Sequence, residues 1–412
     1  LNFVDVKIFF LVRESIFSEI IIMIKILDKT KCTGCGACKN VCPTSAIQME
    51  YDNDGFWYPN VSLDKCINCH LCEKVCPFNN TIYIERKKIS KNFYYSGQLK
   101  DKSQLNTVSS GGAAWGLTRA VLEIGGIVYG VEQVDVDQIK HIRMDSIEKA
   151  KKITRSKSLQ SDTGLTFKQA KNDLDNGRLV LYTGVGCQIA GLKSFLRKEY
   201  ENLITLDVIC HGVPSKTVWS SYKNCVEKSN KSKITDLVFR DKSIGWYNNQ
   251  YAISLNNGKV IKEKSVDNPF HRGYLIGMYS RPSCGACSFN LLPRVSDITC
   301  ADYWEYDGDK FSETKNMGVS LICLNSEKGV NCLYLLQKYL ELETTTENKA
   351  LQSARHLNHS PTEHTDRIKF LNEITADNFS LMCKKYINKK KISFVRRIIC
   401  KVRKVLNELY KG

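Results

Sequence analysis

The apolar positions in the body of the chain predict a series of alternating helices and strands. Residues 112–124 carry apolar side chains at helical spacing, and the glycine pair that begins at Gly125 ends this segment. Ser109 or Ser110 can cap its first turn with a side-chain oxygen. The apolar run at 127–132 then has the length of a buried strand. This order of elements favours an α/β fold.

The alternation continues toward the middle of the chain. Residues 141–144 predict a short strand, and Ser146 can cap a second small helix. A helix is expected over 166–176, with Gly177 as its end. The segment before it, 153–164 (ITRSKSLQSDTG), is a polar loop, and no helix or strand pattern explains its polar residues.

A strand–helix–strand unit is the clearest part of this larger region. Residues 178–183 (RLVLYT) predict a buried strand, 188–200 a helix and 203–209 (LITLDVI) a second strand. Such connections are right-handed and join parallel strands, so we expect a larger α/β domain with a mostly parallel sheet. Cys187 and Cys210 each follow the carboxyl end of a strand, and should share the sheet edge where α/β proteins bind ligands.

Ahead of this region the chain carries two copies of one cysteine pattern. Residues 32–43 read CTGCGACKNVCP and residues 66–77 read CINCHLCEKVCP, each spaced C-x₂-C-x₂-C-x₃-C-P. This spacing binds a pair of [4Fe–4S] clusters, and the last cysteine of each copy ligates the opposite cluster. Zinc knuckles and disulfide frameworks do not need two equal triplets with trailing Cys-Pro pairs. The sequence therefore predicts an α+β ferredoxin-like domain with two [4Fe–4S] clusters.

The eight cysteines divide into two sets by this rule. The first set is Cys32, Cys35, Cys38 and Cys76. The second set is Cys42, Cys66, Cys69 and Cys72.

A further C-x₂-C pair, Cys284 and Cys287, lies in RPSCGACSF. With Cys187 and Cys210 it makes four thiols, called the rim set below, which suffice for a third [4Fe–4S] cluster or a zinc ion. The iron–sulfur cluster is favoured. Cys300 competes as a ligand, but it lies in an apparent strand where a buried thiol is expected. The same ordinary interpretation is preferred for Cys225, Cys323, Cys332, Cys383 and Cys400.

Other residues are weaker candidates. The turn at 109–112 (SSGG) starts a helix and offers backbone N–H groups to a phosphate, although glycine turns before helices are common. The glycine loop at 184–187 lacks the dinucleotide-binding spacing. His211 could donate a proton or tune a cluster by hydrogen bonding, or it could be an ordinary turn residue. For Asp297 and Asp302, structural hydrogen bonding is the preferred interpretation.

Length and charge extend this interpretation. The chain has 412 residues, which leaves room for two or three domains, and 18 cysteines, whose density implies a reducing, cytoplasmic setting. Residues 1–22 begin with Leu and precede Met23, and their charges prevent a clean spanning helix. They also lack the features of a signal peptide. We interpret 1–22 as a non-native or disordered extension, with a short amphipathic segment as the alternative.

The other end carries much of the net charge of +17. Between 384 and 412 basic residues alternate with apolar residues at helical spacing, which predicts a basic amphipathic C-terminal helix. It could lie on the inner face of an anionic membrane, or it could dock on this protein or a partner. Nucleic-acid binding is less favoured, because no reading motif accompanies the charge.

Seven segments between about residues 90 and 335 resemble the coenzyme F(420) hydrogenase/dehydrogenase beta-subunit family, here with a two-cluster ferredoxin domain in front. They are SSGG (109–112), RSKSLQSD (155–162), GCQIAGLK (186–193), CHGVPS (210–215), FRDKSIGW (239–246), RPSCGAC (281–287) and SDITCADYW (296–304).

The resemblance implies FAD in the larger domain and a further [4Fe–4S] cluster ligated by the rim set. The residues it places near FAD are Ser110, Gly111, Gly112, Ser158, Gln160, Ser161, Asp162 and Gly184. At 184–187 this sequence has GVGC where the family commonly has Thr-Pro before the cysteine, which puts the contacts of that loop in question.

The resulting hypothesis is a flavin-dependent iron–sulfur oxidoreductase. It would pass electrons between [4Fe–4S] clusters, FAD and a hydride-accepting or hydride-donating substrate, with His211 as the catalytic candidate. The alternative is a non-catalytic electron-transfer subunit that feeds a partner enzyme. The expected partners are a ferredoxin-like carrier or a partner redox subunit, together with a small-molecule substrate.

The expected organisation follows from these segments. It is an extension (1–22), the ferredoxin domain (23–86), two parts of the flavin-binding domain (90–160 and 161–335), a helical region (336–383) and the basic tail (384–412).

Overall fold

A computed structural model describes residues 24–79 and 93–388 of the chain. The predicted extension at 1–22, the middle of the connection between the two domains and the basic segment beyond 388 lie outside the described residues. In the two described ranges, no helix is long and apolar enough to cross a membrane.

Residues 24–79 form a small region built on one β-hairpin and two short helices. Helices α1 and α2 span Ala37–Val41 and Leu71–Lys74, and the antiparallel strands β1 and β2 span Ile47–Tyr51 and Trp57–Val61. Each helix carries the third cysteine of a triplet and ends close to the following Cys-Pro pair, because proline disfavours helical geometry in the residue before it. This is the small N-terminal region that the cysteine spacing predicts.

The larger domain contains eleven further strands among the described residues. In chain order they are β3 (Phe93–Leu99), β4 (Ile127–Asp135), β5 (Gln138–Met144), β6 (Val180–Val185), β7 (Leu203–Val208), β8 (Ile234–Asp241), β9 (Gln250–Leu255), β10 (Val260–Lys264), β11 (Ile298–Asp302), β12 (Ser320–Leu324) and β13 (Leu340–Thr345).

Eight of these strands form one sheet in the order β13–β3–β12–β11–β7–β6–β4–β5. The three central pairings, β4 with β6, β6 with β7 and β7 with β11, are parallel, and the other four are antiparallel. The sheet is therefore mixed, which corrects the expectation of a mostly parallel sheet. Parallel pairing needs a crossover, whereas β5 returns from β4 through a tight turn and the β12, β3 and β13 side is built antiparallel.

The helices of this domain cover both faces of the sheet and its C-terminal edge. They are α3 (Ala113–Glu123), α4 (Ile147–Ala150), α5 (Thr166–Asp175), α6 (Gly186–Leu196), α7 (Lys216–Asn230), α8 (Pro269–Leu275), α9 (Pro282–Gly285), α10 (Glu327–Asn331), α11 (Leu333–Tyr339), α12 (Glu347–Ser353), α13 (Arg367–Glu373) and α14 (Phe379–Met382).

Most of the predicted elements are present within a few residues of their expected bounds. The unit β6–α6–β7 has parallel strands, with Val180 opposite Leu203. Helices α3 and α5 and strands β4 and β5 occupy the predicted segments, and Ser146 caps α4 by accepting a hydrogen bond from the Lys149 N–H.

The predicted serine cap of α3 was wrong. The helix begins after Gly112, which has a φ of 85° and no capping side chain. The Ser110 hydroxyl instead donates to the Val319 carbonyl at 2.7 Å, and Ser109 pairs with Ser156. Both serines are used in tertiary contacts that local sequence spacing does not reveal.

A second, three-stranded antiparallel sheet, β10–β9–β8, forms a separate packing unit. A hydrophobic core around Trp219 and Phe270 joins it to α7, α8 and the last helices of the described chain. The region 336–383, expected to be helical, also contains strand β13, which pairs antiparallel with β3. Residues 340–343 alternate between leucine and glutamate, a pattern typical of a strand that the expectation of a helical region did not take into account.

Candidate metal centres and cofactor residues

The second set of cysteines surrounds one cavity at the outer end of the small region. Cys42, Cys66, Cys69 and Cys72 all line this cavity, which encloses about 370 Å³ of empty space. Cys69 is exposed. The structure thus brings together the four residues that the spacing assigns to one cluster, with Cys69 at the surface and Cys42 buried.

The first set surrounds a second cavity of nearly equal size. Cys32, Cys35, Cys38 and Cys76 line it, and its empty space is about 350 Å³. Here Cys35 and Cys38 are each only 8% exposed. This cavity therefore lies on the inner side of the small region, facing the larger domain.

Burial makes the Cys35, Cys38 and Cys76 thiols poor acids when no metal is bound. Burial, together with the neighbouring Cys76 and Cys32 thiols, raises the pKa of Cys35 to about 12. The pKa of Cys38 is raised for the same reasons, by burial first and then by Cys35 and Cys32. Because metals bind the thiolate form, four thiols at one cavity, of which Cys35 and Cys38 are buried, suit a cationic iron–sulfur core that compensates their charge.

The inner cavity is fixed to the larger domain by hydrogen bonds to its backbone. Gln160 donates to the Thr33 carbonyl at 2.9 Å, and Thr163 donates to the Cys35 carbonyl at 3.0 Å. A third donor, Arg281 Nε, lies 2.7 Å from the Cys32 carbonyl.

Close packing of helix α6 adds to this attachment. An ideal Cβ built on Gly191 would lie 2.9 Å from Cys35 Sγ, so only a glycine fits there without displacement. Gly191 is one helical turn after Cys187, a rise of about 6 Å. The inner cavity and the first rim cysteine are therefore joined by one turn of a single helix.

The rim set gathers at the carboxyl edge of the sheet, as predicted. Cys187 lies in the first turn of α6, Cys210 follows β7, and Cys284 lies in α9 with Cys287 just beyond it. Burial raises the pKa of Cys187 and of Cys284, and the thiols of the other rim cysteines raise both further. An ideal Cβ on Gly212 would lie 3.3 Å from Cys284 Cβ, so the Cys210 loop packs directly on α9.

The four rim thiols lie near one another but do not converge on a single point. In residues 24–79 and 93–388, no three His, Cys, Asp or Glu side chains are arranged to hold one metal ion. Cys210, Cys284 and Cys287 nevertheless all lie near enough to Cys187 for their thiols to raise its pKa.

A buried charged network supports the rim from below. Asp207, at the end of β7, is fully buried and forms a salt bridge with the equally buried Arg294. Ser296 and Thr299 donate to the same carboxylate at 2.7 and 2.5 Å. This network fixes the strand from which Cys210 extends, and sequence reasoning missed it because charged residues are ordinarily expected at the surface.

The residues given an ordinary interpretation behave accordingly where they are described. Cys300 is 6% exposed and lies in strand β11. Asp297 accepts hydrogen bonds from Thr205, and Asp302 forms a salt bridge with Arg240. Cys323, Cys332 and Cys383 lie in hydrophobic cores, Cys225 packs against the core that contains Cys383, and Cys400 is outside the described residues.

The turn proposed to face FAD is buried and internally bonded. Ser110 is 7% exposed, and the N–H groups of Gly111 and Ala113 both donate to Ser320 Oγ. An ideal Cβ on Gly111 would lie 2.2 Å from the Gly97 carbonyl oxygen, so this glycine permits close packing on the sheet. In the sequence, the backbone N–H groups of this turn favoured a phosphate site, but those of Gly111 and Ala113 already donate within the protein. Contact with FAD therefore remains a prediction for Ser110, Gly111 and Gly112.

The other predicted FAD residues form a strip between the two domains. Ser158 lies within hydrogen-bonding reach of Tyr251, and Gln160 reaches the first set of cysteines as described above. Ser161 accepts a hydrogen bond from Gln188, and Asp162 accepts one from the Gly164 N–H. Gly184 is buried in β6. The structure thus brings Gln160 to the inner cavity, while Ser156, two residues before Ser158, reaches the turn at 109–112 through Ser109.

Buried cations near these residues were missed in the sequence. Lys242 is 5% exposed and donates to the carbonyls of Ser110 and Met317 at 2.9 and 2.8 Å. Burial lowers the pKa of Lys242 to about 7, and burial also lowers that of Lys157 to about 7. Arg155 contributes to both shifts and so lies near both lysines. Lys242, Lys157 and Arg155 therefore lie near one another, and an anionic group such as a diphosphate bound there would favour the charged form of both lysines.

His211 lies at the rim, next to Cys210. Its Nε2 is 2.9 Å from the Leu275 carbonyl, and its ring contacts Tyr274 and His356 with centroid distances of 5.1 and 4.6 Å. Burial lowers the pKa of His211, so the neutral imidazole is favoured at neutral pH. These contacts fit a proton donor and also a structural role.

The two paired cavities define an iron–sulfur electron-transfer protein, and comparisons with known proteins agree. Residues 31–80 match the 4Fe-4S dicluster domain family, and residues 177–349 match the family described as the C terminus of the coenzyme F420 hydrogenase/dehydrogenase beta subunit. The chain therefore contains a dicluster ferredoxin domain followed by a domain of this beta-subunit family, as the sequence motifs indicated. Residues 90–176, which include most of the predicted FAD residues, lie outside both matches.

One solved structure is similar over much of the chain. It is a chain of the F420-reducing [NiFe] hydrogenase complex from Methanosarcina barkeri, studied by xenon derivatization, with 18% identity and a TM-score of 0.43. The similarity covers 66% of this chain and 90% of that chain. No curated protein matches the chain.

Proposed function

We propose that this protein is an iron–sulfur flavoprotein oxidoreductase that exchanges electrons with a carrier protein and hydride with a small-molecule substrate. The observation that carries the proposal is the succession of three cysteine sites from the surface inward. The second set lies at the surface, the first set lies against the larger domain, and helix α6 connects the first set to the rim set.

The rim set fits a third [4Fe–4S] cluster. The rim thiols come from α6, the segment after β7 and the α9 region, and burial together with the neighbouring thiols would oppose the ionisation of Cys187, Cys210 and Cys284 without a metal core. Gly212 N lies 3.3 Å from Cys210 Sγ, and such N–H donors to ligand sulfur stabilise the thiolate form. Asn290 holds the backbone of the same loop by donating to the Cys210 carbonyl at 2.8 Å.

FAD is the second cofactor of the proposal. Lys242, Lys157 and Arg155 would hold its diphosphate, near the turn at 109–112 and the strip from Ser158 to Asp162. When bound, FAD supplies the exchange between one-electron clusters and a two-electron hydride substrate. His211 is the candidate for moving a proton at the rim, because Nε2–H donates to the Leu275 carbonyl and leaves Nδ1 of the neutral ring able to accept a proton.

The expected carrier is a ferredoxin-like protein or a partner redox subunit. It would bind near Cys69, where the second set reaches the surface, and the net charge of +17 would favour an acidic partner by electrostatic steering. We also propose that the protein works in the cytoplasm and that its basic tail can contact the inner face of the membrane.

One observation favours the alternative of a non-catalytic electron-transfer subunit. The N–H groups of the turn at 109–112 are engaged within the protein, with Ser320 as their main acceptor. A subunit of this kind would hold clusters but would not need a flavin.

Cofactor analysis of the full chain distinguishes the two functions. We expect anaerobically purified protein to contain about twelve iron atoms in three clusters, one FAD, and hydride-transfer activity with a soluble acceptor. About eight iron atoms without flavin would overturn the flavoprotein proposal and leave the electron-transfer subunit. Twelve iron atoms and FAD without turnover in the isolated chain would indicate that catalysis needs a partner subunit, which also contradicts the proposal as stated.

A further inference from the structure

Arg281 connects two of the cysteine sites through one residue. It is 1% exposed and is among the largest fully buried side chains of the described chain. Its side chain points into the small region, where Nε donates to the Cys32 carbonyl and one terminal nitrogen donates to the Trp57 carbonyl, both at 2.7 Å. Its own carbonyl accepts a hydrogen bond from the Cys284 N–H at 2.9 Å.

The same guanidinium contacts a ligand sulfur of the first set. A terminal nitrogen lies 3.7 Å from Cys32 Sγ, and the other lies 3.4 Å from the Gln160 side-chain oxygen. The Tyr58 ring packs against the guanidinium, 4.4 Å from its central carbon. Arg281 is therefore held in place on several sides at the inner cavity.

The charge balance at this position is unusual. Among the described residues, the acceptors of Arg281 are carbonyls, an amide oxygen and a thiol, and none is a carboxylate. A buried cation is costly unless an anion compensates it. A [4Fe–4S] core with four thiolates carries net negative charge, and it gains one more negative charge with each electron it accepts.

We infer that Arg281 is a positioning residue that raises the reduction potential of the cluster held by the first set. Net charge and hydrogen bonds to the ligand sulfurs set the potential of such clusters. A fixed cation beside Cys32 stabilises the added electron, which arrives from a ferredoxin-like carrier or from an added reductant. The corresponding cysteine of the second set, Cys66, has its Sγ 3.6 Å from the neutral Asn68 amide oxygen instead.

The two clusters of the small region should therefore differ in reduction potential. The first-set cluster should be reduced at a higher potential than the second-set cluster, so electrons collect on the side facing the rim. This inference deepens the proposed function, but it needs only the dicluster domain. A finding of eight iron atoms without flavin would overturn the proposed function and leave this test intact.

The test compares variants of the full chain, purified anaerobically and titrated with dithionite while the reduced clusters are followed by EPR. Cys69→Ser, which alters a second-set ligand, assigns the signal of the outer cluster. At a fixed potential, Arg281→Gln should lower the ratio of reduced to oxidised first-set cluster at least tenfold, which is 59 mV for a one-electron couple. The second-set cluster should stay within twofold of the wild type.

Arg367→Gln is the matched control. Arg367 is also buried, at 5% exposure, its guanidinium packs 5.8 Å from the Phe56 ring, and it donates to the Ser280 carbonyl. Its described contacts include no cysteine, so both clusters should keep their wild-type ratios in this variant.

The inference is overturned if Arg281→Gln leaves the first-set ratio within twofold of the wild type, or if Arg367→Gln shifts it equally. If Arg281→Gln does not retain the cluster, Arg281→Lys carries the test. Because lysine conserves the charge, its ratio should stay within threefold of the wild type, and a tenfold drop would refute the role of charge.

Discussion

Gly191 in helix α6 lies against Cys35 of the first cysteine set, so closely that an added Cβ would come within 2.9 Å of the Cys35 sulfur and 3.0 Å of its Cβ. This contact brings the backbone of the larger domain to the edge of the inner cavity. A cluster ligand cannot move aside as a free side chain can, so the contact should be sensitive to a single methyl group.

Gly191→Ala should therefore disturb the first-set cluster. We expect iron to fall by about four atoms per chain, from about twelve to about eight. The control is Gly116→Ala in helix α3, where the new Cβ would lie 3.3 Å from the side chains of Leu340 and Tyr339. Iron should be unchanged in that variant, and equal iron in both variants would refute the claimed contact.

The rim set can be tested against the buried strand thiol beside it. Cys284→Ala should remove the third cluster and lower iron from about twelve atoms to about eight. Cys300→Ala changes a thiol that is 6% exposed in β11 and should leave iron and sulfide content unchanged. If Cys300→Ala lost the iron and Cys284→Ala kept it, the assignment of Cys284 rather than Cys300 as a ligand of the third cluster would be wrong.

Lys242 gives a test of the flavin site. Lys242→Met removes a buried cation beside Ser110, so bound FAD should fall at least tenfold while iron stays constant. Lys262→Met, which removes a partly exposed lysine paired with Asp241, should keep both cofactors. Undiminished flavin in Lys242→Met would assign Lys242 the structural role of joining the carbonyls of Ser110 and Met317.

His141 should make stability depend on pH in the acid range. Burial lowers its pKa from 6.5 to about 4, so the unfolded chain binds a proton in this interval that the folded chain does not. Folding stability should therefore be unaffected by this group above pH 6.5 and should fall as the pH drops toward 4, by at most about 3 kcal/mol.

The measurement is the Tm at pH 7.5 and at pH 5. His141→Gln can keep the hydrogen bond that His141 Nε2 makes with the Thr183 carbonyl, yet it does not titrate. This variant should lose several degrees less than the wild type on acidification. The exposed His359→Gln should behave as the wild type, and an unchanged pH dependence in His141→Gln would contradict the assignment.

The sequence alone predicts two [4Fe–4S] clusters for the small region, and the match of residues 31–80 to the 4Fe-4S dicluster domain family supports this prediction. The spacing of Cys32 to Cys76 is a local property, and a tight loop of known spacing leaves few ways to place its sulfurs. Two members of the rim set could also be placed from the sequence. Cys187 and Cys210 follow adjacent parallel strands, so they must meet at one edge of the sheet. These predictions depended on neighbours in sequence or on one supersecondary unit.

Long-range contacts account for what the sequence could not show. Arg281 and Lys242 resemble ordinary surface residues until the fold closes over them, and the Ser110 hydroxyl donates to the carbonyl of Val319, 209 residues later in the chain. The direction of β12 and β13 depends on their pairing with β3, which no local pattern records. Polarity and spacing therefore predicted which cysteines come together better than they predicted the groups around them.

The position of β3 also has a consequence for how the chain is made. This strand directly follows the small region, yet its two neighbours in the sheet are β12 and β13, at 320–324 and 340–345. The hairpin and helices of residues 24–79 depend on nearby partners and can assemble early during synthesis. The first strand of the larger domain, by contrast, keeps both backbone edges unpaired until almost the whole chain has left the ribosome.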